Sequence, residues 1–160
     1  MMRFKLARFL RRPHSESTRA FVRTVVLAHR EAERRGIPYV ESLLLLAAAL
    51  IVKPDKISGL LPKDVTIDRL KRDVDNRIGE TLVPTVLVAG SAPPKRSDEA
   101  RWILDRARKE ADELHHSARS LEHLFLAIVQ KGDAGNLLQS LGVDAAKVRD
   151  SISSNDYPLS

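Results

Sequence analysis

Apolar residues recur along this chain at helical spacing. Phe21, Val25, Ala28 and Ala32 stand at offsets of 0, 4, 7 and 11, which is one face of a 3.6-residue helix. Hydroxyl residues between Ser15 and Thr18 offer caps for its start, and Gly36-Ile37-Pro38 breaks it. The next segment, from Glu41-Ser42 to Pro54, is apolar on every side, which suits a helix in the middle of a core. A short segment around Ile57 to Leu61 follows. Thr66 then opens a helix with Ile67, Leu70, Val74 and Ile78 on one face, with a stop expected at Gly79. Residues 80–96 change character: Thr81 to Ala89 is β-branched and apolar, and Gly90 to Lys95 contains two prolines. An extended connector is predicted there, and a short strand in it would have no evident partner. Ser97-Asp98-Glu99 caps another long helix, with acidic residues in the first turn where the helix dipole favours them. Its stripe is Ala100, Leu104, Ala107 and Ala111, again at offsets of 0, 4, 7 and 11. Ser120 starts a second apolar helix, LEHLFLAIV, stopped by Gly132. Leu137-Leu138 sits in a short helix closed by Gly142, and Asp144 caps a last one carrying Val148 and Ile152. The tail beyond it is polar and is expected to be loose.

The two halves repeat one order of elements. A shift of 79 residues superposes Val25 on Leu104, Ala28 on Ala107, Glu31 on Glu110, Ala32 on Ala111, Leu45 on Leu124 and Ala48 on Ala127. Each half reads as a long amphipathic helix, a break, a buried helix, a short helix and a capped helix. Units this small bury too little alone, so two four-helix repeats packed as one all-α body are predicted. The expected boundaries are a basic extension at 1–13, a domain over 14–153, and a loose tail at 154–160. Within the domain, repeat 1 covers about 15–79, the linker 80–96 and repeat 2 about 97–153.

Composition supports that reading. The chain of 160 residues is 43% hydrophobic and 30% charged, with only seven aromatic side chains, which favours packed helices over a β-sandwich. It has no cysteine, which excludes disulfides, thiolate zinc sites and cysteine nucleophiles. The net charge of +6 is local: Arg3, Lys5, Arg8, Arg11 and Arg12 supply five of those charges within an extension that has no acidic residue. The body is nearly neutral, so no nucleic-acid partner is expected. The extension alternates basic residues with Phe4, Leu6, Phe9 and Leu10. A solvated terminus is the plain reading, and contact with a membrane surface or a partner through residues 1–13 is the alternative. No apolar run reaches the ~20 residues needed to span a bilayer, and a soluble, cytoplasmic protein is expected.

Candidate chemistry is sparse. Gly90 to Ser97 lies between an apolar run and a helix, as a phosphate loop would. It lacks the second glycine, and Pro93-Pro94 remove two backbone N–H donors. His115, His116, Glu122 and His123 cluster without a spacing that puts two metal ligands on one helix face. Glu110, Asp112 and Glu113 read as a solvated helix face. No nucleophile, base and orienting group can be assembled, so no catalytic residue, metal or cofactor is expected.

The second half carries Lys109-Glu110-Ala111, Leu114, His116, Leu121-Glu122-His123-Leu124-Phe125-Leu126-Ala127 and Leu137-Leu138-Gln139-Ser140-Leu141-Gly142-Val143-Asp144. In these residues it resembles the Clp repeat found at the amino terminus of Clp-family AAA+ unfoldases. Glu31-Ala32, Gly36, Tyr39-Val40 and Ser42 to Leu50 match more weakly in the first half. The resemblance implies two pseudo-symmetric four-helix repeats, a double Clp-N motif, here expected as a stand-alone domain without the ATPase. It also implies a non-catalytic protein-binding module. Its expected partners are Clp ATPase or protease components, or their substrates and adaptors; a stand-alone peptide binder unrelated to proteolysis is the alternative. In the ClpC-type branch a glutamate at the start of this helix recognises phosphorylated arginine. Glu122, beside His123, is the matching residue here, whereas Leu43 and Leu44 occupy the equivalent places in the first repeat. Those leucines either enlarge the core, the preferred reading, or form an apolar contact patch with Tyr39.

Overall fold

The structure, a computed structural model, describes residues 16–82, 92–154 and 159–160. The extension at 1–13 and most of the connector, including the Gly90 end of the rejected phosphate loop, lie outside them. Helix α1 (Arg19–Arg34) packs on α2 (Ser42–Val52), followed by α3 (Pro54–Ser58) and α4 (Ile67–Thr81). The second half repeats this with α5 (Asp98–Glu113) on α6 (Leu121–Val129), then α7 (Gly132–Ser140) and α8 (Ala145–Ser153). The all-α, two-repeat architecture is therefore as expected.

The caps follow the sequence signals. The side-chain oxygens of Thr18, Thr66, Ser97 and Ser120 accept from the backbone N–H of Phe21, Arg69, Ala100 and His123, and the Asp144 carboxylate accepts from Ala146 and Lys147. Each supplies an acceptor for a donor that the first turn leaves orphaned. Gly79 does not stop α4, which continues to Thr81. Glycine lowers helix propensity by about 1 kcal/mol but blocks nothing sterically. Gly132, by contrast, is needed at the head of α7: its φ is +85°, and a β-carbon there would collide with the Glu99 carboxylate.

The buried helices α2 and α6 touch each other at the centre, and every residue of α6 is buried. One continuous apolar cluster runs from Ala20 to Ile152 through both repeats, so the halves share a core. Two short strands also join them. Strand β1 (Tyr39–Val40) pairs in parallel with β2 (Lys95–Arg96), within the predicted connector. Its partner was not evident from sequence because two-residue strands carry no periodic signal. An isolated parallel bridge links Ser17 to Arg119. The 79-residue shift converts one connection into the other, since Val40 becomes Arg119 and Ser17 becomes Arg96. In each repeat the segment before the buried helix is therefore strapped to the segment before the other repeat's long helix.

Candidate functional site

The predicted residues separate into three environments. Leu43 and Leu44 are 1% exposed and belong to the core. Of the proposed apolar patch only Tyr39 reaches solvent, at 50% exposure. The patch is thus corrected to a core enlargement: a helix apolar on all sides has no face that gains from exposure.

Glu122 and His123 are also fully buried. The Ser120 backbone N–H donates to His123 Nδ1 at 2.9 Å, while Ser120 Oγ accepts from the His123 N–H at 3.4 Å. This is a capping box with histidine in the position where Glu or Gln is usual. Because Nδ1 accepts, Nε2 carries the ring proton and donates to His116 Nδ1 at 2.7 Å. Burial, with His116 adding to it, pushes the His123 pKa down to about 4, against an opposing pull from Glu110. Ser120 Oγ lies 2.8 Å from His123 Nδ1, and the hydroxyl is buried under the cap.

The Glu122 carboxylate accepts the Ser160 N–H through both oxygens, at 3.1 and 2.9 Å. Ser160, expected in a loose tail, is thereby docked, and its carbonyl accepts from the Leu121 N–H at 2.7 Å. In this arrangement Glu122 presents no free carboxylate to a guanidinium. Glu110, read as part of a solvated face, is likewise buried. Arg149 reaches it from α8 at 2.7 Å, Arg106 from its own helix at 2.6 Å, and Gln130 at 3.0 Å. Burial alone would raise its pKa, but the hydrogen bonds from Arg149, Gln130 and Arg106 overcome that and hold it at about 2. This is a brace between α5, the end of α6, and α8. Among the described residues no group of three or more His, Asp or Glu side chains could hold a metal ion.

Sequence reasoning missed an open cleft of about 290 Å³ between α1 and α5. Phe21, Val22, Val25 and Val26 line one side and Leu104 the other, with Arg96 and Arg119 at the rim. Val22 and Val26 are 48% and 43% exposed. Val25 and Leu104 are repeat equivalents, so the cleft lies between matching faces of the two long helices. The Arg119 guanidinium lies 5.4 Å from the centre of the Phe21 ring, and its Nε is buried without a hydrogen-bond partner. The signal was present in α1: Phe21, Val22, Val25 and Val26 form an apolar arc wider than one core contact needs.

Residues 95–156 match the Clp repeat (R) N-terminal domain. The fold resembles the Hsp104 N-terminal domain from Candida albicans, with a TM-score of 0.68 at 15% identity over 85% of this chain and 88% of that one. It also resembles the N-terminal domain of the chaperone ClpD from Arabidopsis thaliana, with a TM-score of 0.62 at 18% identity over 84% and 90%. In sequence, the chain is 32% identical over 84% of its length to a ClpA homolog, an ATP-dependent Clp protease ATP-binding subunit of Cyanidium caldarium. It is 30% identical over 92% of its length to the chloroplastic chaperone ClpC2 of Oryza sativa subsp. japonica. The chain spans 16% of the length of each of these two relatives. The matched segment, residues 95–156, is a Clp repeat, and the fold of the chain is that of the Clp amino-terminal domains. Among the described residues no helix is long and apolar enough to cross a membrane.

Proposed function

We propose that this chain is a non-catalytic polypeptide-binding module serving a Clp-type AAA+ unfoldase or its protease, as an adaptor, a regulator or an aid to substrate recognition. The observation that carries the reading is the α1/α5 cleft. Val22 and Val26 keep roughly half their surface in water beside Val25 and Leu104, a cost that a bound apolar side chain would recover. Arg96 and Arg119 at the rim add donors for carbonyl or carboxylate groups of the same ligand. The family relationship supports the choice of a Clp machine as the context.

The test uses a fluorescently labelled, permanently unfolded casein. Saturable binding that is weakened at least tenfold by Val26→Asp, with the thermal midpoint retained, supports the reading. Equal binding by the two proteins removes the cleft from it. A Clp ATPase whose turnover and casein degradation are unchanged by the chain removes the link to proteolysis and leaves a free-standing peptide binder. ATP hydrolysis by the purified chain would overturn the non-catalytic assignment itself.

A further inference from the structure

The start of α6 holds a piece of this chain as a receptor holds a ligand. Ser160 contributes only its backbone to the two contacts: its N–H goes to Glu122, and its carbonyl takes the Leu121 N–H. Leu159, the preceding residue, packs against the core. Glu122 is fully buried, and no cation pairs with it among the described residues. A buried carboxylate without donors is costly, so this pocket needs an N–H brought to it. The Leu121 N–H is one of the orphan donors of a helix start, and it needs a carbonyl just as firmly. A single residue of extended main chain meets both needs at once.

We infer that the Leu121–Glu122 clamp is a peptide-binding site held closed by the chain's own residues 159–160. Its ligand in trans is an extended polypeptide presenting an apolar residue followed by any residue except proline. The contacts explain that specificity. The Leu159 position selects an apolar side chain, the next position is read through N–H and C=O alone, and proline lacks the N–H. The tethered occupant competes at a high effective concentration, so an outside ligand binds weakly until residues 159–160 are displaced. The inference uses different residues from the α1/α5 cleft and stands if the cleft proves inert.

The test compares the intact chain with a double variant, Leu159→Asp with Ser160→Pro, which alters only the occupant. An amino-terminally labelled, carboxyl-amidated hexapeptide, Asn-Asp-Tyr-Pro-Leu-Ser, is titrated into each. The released variant is expected to bind it at least tenfold more tightly, and Val26→Asp added to that variant leaves the titration unchanged. Glu122→Ala in the released variant abolishes binding while a cooperative thermal transition remains. Independently, the Leu121 amide should exchange with solvent at least tenfold faster in the released variant and be re-protected by saturating peptide. Unchanged Leu121 exchange, or equal peptide titrations for the intact and released proteins, would overturn the inference. The exchange measurement needs no change at Glu122, so it decides the matter even if Glu122→Ala fails to fold.

Discussion

Ser97 donates its backbone N–H to the carbonyl of Val40 at 3.2 Å, joining the entry of α5 to the entry of α2. The relationship has a counterpart: Thr18 donates to Arg119 at 2.9 Å, and the 79-residue shift maps one pair onto the other. Each repeat thus completes a backbone edge belonging to its neighbour. Residues 97–153 expressed alone are therefore expected to show no cooperative thermal transition, because half the core and both straps are missing. A sharp unfolding transition by circular dichroism, with a native-like dispersed NMR spectrum, would show that the halves are independent.

Glu110 ties α5 to α8 through Arg149. Replacing it with glutamine removes the charge that two guanidiniums share, and a destabilisation of about 2–4 kcal/mol is expected in urea unfolding. Its carboxyl is held at about 2 instead of the ordinary 4.5. The resulting stabilisation is fully present above pH 4.5 and is lost as pH falls toward 2. The Glu110→Gln protein should show less of that acid-induced loss.

His123 acts at a higher pH. Its ring is held neutral, with a pKa pushed down from 6.5 to about 4. Below pH 6.5 the unfolded chain takes up a proton that the folded chain refuses, so stability falls steadily until about pH 4. Protonation of Nδ1 also breaks the bond from the Ser120 N–H. His123→Gln keeps a capping acceptor without titrating, and the difference between the two proteins should be nearly flat above pH 6.5 and narrow below it.

Leu43 occupies the place in the first repeat that Glu122 holds in the second, yet the two are buried for different reasons. Leucine there meets only the core, whereas Glu122 is satisfied by Ser160. Leu43→Glu is expected to cost at least roughly 3 kcal/mol in denaturant unfolding, since no donor awaits the new carboxylate. An unchanged unfolding midpoint would return Leu43 to the surface.

Free phosphoarginine titrated into the unaltered chain is expected to give no saturable heat, because backbone already takes both oxygens of Glu122. Binding that disappears in Glu122→Gln would restore the guanidinium role implied by the resemblance.

The helices, most of their caps and the repeat were legible because each leaves a periodic or positional mark. The stripe Phe21, Val25, Ala28, Ala32 and the caps Thr66, Ser97 and Asp144 are local, and local physics determines them. What escaped depended on distant partners. Glu110 looked like any acidic residue on a charged helix until Arg149 arrived from α8, 39 residues away. Strand β2 offered two residues and became a strand only because Tyr39 and Val40 lay beside it. Val22 and Val26 stood in plain view beside the α1 stripe, but only the position of α5 turns that surplus into a cleft. The role of Ser160 rests on one main-chain N–H, and composition carries no trace of such a contact.

The two straps also set an order of events at the ribosome. Residues 16–18 and 38–40 emerge long before the segments that answer them, so the first repeat leaves the exit tunnel with both edges unsatisfied. Both straps close only after Arg96, Ser97 and finally Arg119 have followed, so they are the last contacts the first repeat can complete during synthesis.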